Sequence, residues 1–246
     1  MSLAPAASES LAPTAAGEPV PALAASAFVP SEPDGFPSLR LPLDLRLSPE
    51  QFALVCAANP QAVLELAADG RLITMTPTGG ETGVRNSLLL ARLQIWALAQ
   101  DGWKVFDSSS GFRLPDGSVL SPDAALVRLD RWQALTPAER RGFPPLCPDL
   151  VIELASPSDE GPRGATALRR KMAAYLANGA QLGWLLFPER QAVEIWRAPS
   201  LLPVQRSSAE TPDGSSQPER LEPADTLEGG EAFPGLRLEL AELWAV

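Results

Sequence analysis

The run PDLVIELASPSDEGPRGATALRRKMAAYLANGAQLGWLLFP, residues 148–188, constrains the fold more than any other part of the chain. It opens on a short apolar segment, DLVIELASP, of strand length. It then passes through a stripe at Leu168, Met172, Tyr175 and Leu176 with helical spacing, and that stripe stops near Asn178-Gly179. A second apolar segment, LGWLLFP, follows and pairs in sequence with AVEIWRA as a hairpin. A strand, a helix and a strand in that order form a crossover between parallel neighbours, almost always right-handed. The expected fold class is therefore α/β (α+β), a mixed sheet flanked by helices.

The flanking segments fit the same architecture. SPEQFALVCAANP carries a Ser-x-x-Gln start and predicts a short capped helix. AVLELAADGRLITMTP predicts two strands turning at Asp69-Gly70. In GGETGVRNSLLLARLQIWALAQDG the apolar spacing of Leu89, Leu93, Trp96 and Ala97 predicts a helix of about 18 residues ending at Gly102. WKVFDSSSGFRL and GSVLSPDAALVRL read as consecutive strands joined at Pro115, Asp116 and Gly117. Residues 1–38 are rich in Ala, Pro and Ser and read as a disordered leader, and residues 206–230 read as a flexible loop. One domain is expected over 39–246.

Composition removes whole classes of chemistry. The chain has no histidine, which excludes Ser-His-Asp and Cys-His nucleophiles and histidine-bound zinc. Cys56 and Cys147 are too few for a zinc cluster and sit among apolar neighbours, as structural thiols do. No apolar run approaches the length of a membrane span, and the N-terminus lacks the pattern of a signal peptide, so a cytoplasmic protein is expected. The net charge of −10 argues against a generic nucleic-acid binder, but residues 1–38 hold four acids and no base. Any basic surface must be local, built from residues such as Arg85, Arg92, Arg163, Arg169 and Arg170.

Three charged residues stand in otherwise apolar surroundings: Asp123 in SPDAALV, Glu153 in PDLVIELASP and Lys171 in RRKMAAYLA. Lys171 carries added weight because only Lys104 and Lys171 are lysines among 20 basic residues. Strand alternation puts Asp149, Val151, Glu153 and Ala155 on one face, and places Asp123 in a row with Val119, Ser121, Ala125 and Val127. Carboxylates at one level on neighbouring strands, about 4.8 Å apart, can share a cation. Lys171, at the margin of the helix stripe, can bury its stem and aim its ammonium at the sheet edge. Hard oxygen donors suit Mg²⁺, with Mn²⁺ as an alternative, and the chemistry that fits is metal-assisted phosphodiester hydrolysis. Arg85 and Asn86, after the Gly-rich TGGETG, are candidate phosphate contacts at the site rim.

At these residues the chain resembles the Uma2 family, whose members look like PD-(D/E)xK restriction-endonuclease-like proteins. The matching segments are VLELAADGRLITMTP, TGGETGVRNSLLL, SPDAALV, PDLVIELASPSD and RKMAAYLANGAQLGWLLFPERQAVEIWR, within about residues 40–200. The resemblance implies a restriction-endonuclease-like mixed sheet flanked by helices, a DNA substrate and a homodimer. It makes Asp123 the motif aspartate and Glu153 the acid of the next core strand. Ala155 stands where a lysine is expected, and Lys171 matches a lysine relocated to the adjacent helix. Glu65 matches the family's first acidic position, as a further ligand or the support of a second metal. Two other functions stay open: a non-catalytic dimeric interaction protein retaining the nuclease fold, and a hydrolase of a small phosphoester.

Overall fold

The computed structural model describes residues 44–198 and 217–246. The expected leader and the first part of the expected loop lie outside them. The described chain runs α1 (Pro49–Ala58), β1 (Val63–Leu66), β2 (Leu72–Met75), α2 (Gly80–Gln100), β3 (Trp103–Asp107), β4 (Phe112–Arg113), β5 (Val119–Leu120) and β6 (Ala124–Arg128). Two short helices, α3 (Leu129–Ala134) and α4 (Pro137–Arg141), lead to β7 (Leu150–Leu154), α5 (Pro162–Ala177), β8 (Leu182–Phe187) and β9 (Ala192–Arg197). The last elements are β10 (Glu219–Leu221), β11 (Thr226–Glu228), β12 (Arg237–Glu239) and α6 (Ala241–Trp244). The described part of 206–230 thus holds two strands as well as loop.

The main sheet has six strands in the order β10-β9-β8-β7-β6-β3. Its one parallel pair is β7 with β8, in the register Leu150↔Leu182 to Leu154↔Leu186, and α5 is the crossover. A second sheet, β2-β1-β5-β4, is antiparallel, and β11 pairs with β12. The hairpin of β1 and β2 turns at Gly70, whose φ of 81° is the left-handed region that glycine enters without steric cost.

Alternate residues of β7 face two cores. Leu150, Ile152 and Leu154 pack with Leu89, Leu93 and Trp96 of α2. Val151 and Ala155 pack with Ala165, Met172 and Tyr175 of α5 on the other face. Each large apolar side chain fully buried in these layers contributes roughly 1.5–3 kcal/mol. The approach of α5 to the sheet is close at Gly183, where an added Cβ would lie 2.3 Å from Met172 Cε. That contact, one residue from Lys171, sets the depth at which α5 presents its side chains.

Two segments read as continuous strands are each divided between the sheets. Residues 119–128 break at Ser121-Pro122-Asp123 into β5 of the smaller sheet and β6 of the larger. Pro122 has no N–H to give to a ladder, so it marks the transfer point. Residues 103–113 break after Asp107, whose Oδ1 accepts from Ser109 N at 3.1 Å and Ser109 Oγ at 2.6 Å in a local turn. The helix α2 runs 21 residues, longer than its apolar spacing predicts, and ends at Asp101 with φ 49°. No helix among the described residues is long and apolar enough to cross a membrane.

Candidate active site

Three elements bring acidic groups to one place. Glu65 projects from β1 beside β5, to which β1 pairs at Leu66↔Val119. Asp123 sits in the connection that carries the chain from one sheet to the other. Glu153 lies on β7, and the alternation that sends Val151 and Ala155 toward α5 sends Glu153 there as well. Glu65 and Glu153 are both buried, each 3% exposed.

Lys171, from α5, closes the group. Its ammonium lies 2.8 Å from Glu65 Oε1 and 2.9 Å from Glu153 Oε1, and it donates to the Ser121 carbonyl at 2.9 Å. Three acceptors match the three N–H bonds of an ammonium. Glu65 Oε1 also accepts from Ser121 N at 2.8 Å, which ties β1 to the chain crossing. Glu153 Oε1 accepts a further bond, from Tyr175 Oη at 3.2 Å. Asp123 Oδ2 accepts from Leu154 N at 2.7 Å, so the backbone beyond Glu153 holds the aspartate.

The electrostatics follow from burial and an excess of carboxylates. Burial pushes the Asp123 carboxyl above the usual carboxylate range, against the Leu154 N–H and the charge of Lys171, which favour the ionised form. Glu153 is pushed up to about 8, chiefly by burial, with the negative charges of Asp123 and Glu65 adding to the effect. Burial alone would lower Lys171, but the charges of Glu153 and Glu65 outweigh it and hold the ammonium above its ordinary value. Tyr175 is raised well above 10 by burial and by the neighbouring glutamates, so it stays a neutral phenol. Carboxyl groups outnumber the one ammonium, and the repulsion among them is part of what raises Glu153.

A hard divalent ion fits this donor set. Asp123 and Glu153 supply two carboxylates, the number Mg²⁺ usually takes from protein while keeping waters. Among the described residues no group of three or more Asp, Glu, Cys or His side chains is arranged to hold a metal ion by itself, so an ion here would rely on two carboxylates and water. Asn86 Oδ1 is a buried acceptor without a partner among the described residues, and its Nδ2 reaches Asp123 Oδ1 at 3.5 Å. An orphaned acceptor beside a carboxylate suits an ion or one of its waters.

The residues read from the sequence therefore separate into two sets. Asp123, Glu153, Lys171 and Glu65 come together, with Asn86 at their edge. Arg85 does not join them. It lies on the core-facing stripe of α2, is 4% exposed, and donates through Nε to Leu243 O at 3.1 Å and through Nη2 to Val246 O at 2.6 Å. Its guanidinium anchors α6 and does not reach the site rim, because the next residue, Asn86, faces about 100° away around the helix. Tyr175 escaped sequence reading because it sits in the apolar stripe of α5. Its spacing of four from Lys171 was the available signal.

A profile of the Uma2 family, described as "Putative restriction endonuclease", matches residues 49–241. No curated protein matches the chain. Among solved structures, the chain is similar to a crystal structure of a "putative nuclease belonging to DUF820" from Anabaena variabilis ATCC 29413. The TM-score is 0.59 at 19% identity, over 81% of this chain and 98% of that one, a likeness of fold. With the fold, the order of its motifs and a profile match over most of its length in agreement, the chain belongs to the Uma2 family of restriction-endonuclease-like proteins.

Proposed function

We propose that the chain is a divalent-metal-dependent endonuclease that hydrolyses DNA phosphodiester bonds. The observation that carries this reading is the convergence of Asp123, Glu153 and Lys171 in a buried site with more carboxylates than ammonium groups. Asp123 and Glu153 would hold Mg²⁺ or Mn²⁺. When bound, such an ion acidifies a water and withdraws charge from a phosphoryl oxygen. Lys171 stays protonated, so it acts as a donor to the phosphoryl group or the attacking water and not as a general base. To do so it must release one of its three present acceptors. Glu65, bonded to both Ser121 N and Lys171, supports the lysine.

Of the five arginines that could build a basic surface, Arg85, Arg92 and Arg169 are engaged within the chain and two are left exposed. Arg92 is paired with Glu242, and Arg169 grips buried Glu194 through Nε and Nη2 at 2.5–3.0 Å. Arg163 and Arg170 are exposed on α5, seven residues apart on one helix face, and suit backbone phosphates. The homodimer belongs to the same proposal. Val84, Ile95 and Leu98 are exposed on α2, and with Leu88 and Ala91 they follow a four-three spacing that suits a second copy of the same helix.

One observation favours the non-catalytic alternative: the ammonium of Lys171 is saturated by this chain's own acceptors. Nicking of supercoiled plasmid with Mg²⁺ or Mn²⁺ separates the two. The endonuclease reading expects metal-dependent nicking, abolished in Asp123→Asn and lowered about 10²–10³-fold in Lys171→Met. Absence of nicking by the wild type with either metal favours the interaction protein.

A further inference from the structure

Two donors from one helix meet on a single oxygen of Glu153. Lys171 Nζ lies 2.9 Å from Oε1 and Tyr175 Oη lies 3.2 Å from it, one helical turn apart on α5. They differ in freedom. Lys171 is 12% exposed in its side chain and divides its N–H bonds among three acceptors. Tyr175 is 0% exposed, is packed among Met172, Leu185 and Ala180, and among the described residues its hydroxyl donates to Glu153 alone. A buried phenol cannot reach a substrate, whereas Lys171 can turn toward one by giving up an acceptor. Once Lys171 turns, Tyr175 is the donor that remains on Glu153.

We propose that Tyr175 is a positioning residue: its hydroxyl fixes the Glu153 carboxylate for a divalent cation, and keeps it fixed when Lys171 turns to the substrate. The proposal rests on the nuclease reading above. Groups that orient a metal-binding side chain typically carry 10–100-fold in metal affinity. Lys171 acts in the opposite sense on the cation, because its positive charge already neutralises the carboxylates that would bind the metal.

The test is titration calorimetry with Mg²⁺ and Mn²⁺ on wild type, Tyr175→Phe and Lys171→Met, with thermal melts to verify folding. Tyr175→Phe keeps the ring and removes only the hydroxyl. The expected result is affinity about 10–100-fold weaker in Tyr175→Phe and no weaker than wild type in Lys171→Met. Equal affinity in Tyr175→Phe and wild type overturns the proposal while leaving the nuclease reading intact. No metal binding by wild type removes that reading and this proposal with it.

A second measurement does not depend on a variant. Tyr175 is the sole tyrosine of the chain, so biosynthetic 3-fluorotyrosine places one fluorine label, beside Glu153. The proposal expects saturating Mg²⁺ to move that ¹⁹F resonance, and the response to vanish in Asp123→Ala. A resonance unmoved by metal that calorimetry shows to be bound overturns it.

Discussion

Glu153 is the residue in which burial and chemistry oppose each other most directly. It is 3% exposed, near Glu65 and Asp123, and its carboxyl is pushed up from 4.5 to about 8. Between those values the folded protein keeps a proton that the unfolded chain has released. Stability therefore falls as pH rises from about 4.5 to about 8, with a limiting slope of about 1.4 kcal/mol per pH unit from this group. Urea melts of the metal-free protein across that range check the direction, and Glu153→Gln is expected to flatten the curve. An unchanged curve in Glu153→Gln would place the proton elsewhere. At this scale the sequence was informative for Asp123, Glu153 and Lys171, because charged residues in apolar runs are costly and so conspicuous. It was silent on Ser121 and Leu154, which serve through backbone atoms that no side-chain pattern reveals.

Among the elements, α2 separates what periodicity can tell from what it cannot. Thr82, Arg85, Leu89, Leu93 and Trp96 form its buried stripe, so Arg85, which the sequence offers as a phosphate contact at the site rim, faces the core instead. What the spacing could not supply was the partner, the carbonyls of Leu243 and Val246 more than 150 residues away. Arg85→Ala leaves those carbonyls without their donor, at about 1–3 kcal/mol for each one that stays buried and unsatisfied. The expected outcome is a loss of that order in denaturant melts with metal affinity unchanged. A selective loss of metal or DNA binding without destabilisation would return Arg85 to the site. The β5 and β6 segments teach the complementary lesson. Their residues read as one strand, yet Pro122 splits them between two sheets, and the split is what delivers Asp123 to the backbone of Leu154. The crossover of β7, α5 and β8 was legible because one apolar stripe between two apolar runs allows few other topologies.

For the molecule as a whole, charge and site have to be reconciled. The chain carries a net charge of −10, yet the function proposed for it needs an anionic polymer at a cluster of carboxylates. In the proposed function a bound divalent ion would resolve the conflict locally, since it would reverse the sign of the field where a phosphate must approach. Arg163 and Arg170 lie exposed on α5, the helix that also carries Lys171 and Tyr175. Everything then depends on the cation having its place between Asp123 and Glu153. The direct measurement is anomalous diffraction from crystals soaked in Mn²⁺. The account predicts one anomalous peak ligated by Asp123 and Glu153 and absent in Asp123→Ala crystals. A Mn²⁺ peak bound elsewhere, or none at saturating concentration with Lys171 still on both glutamates, would contradict it.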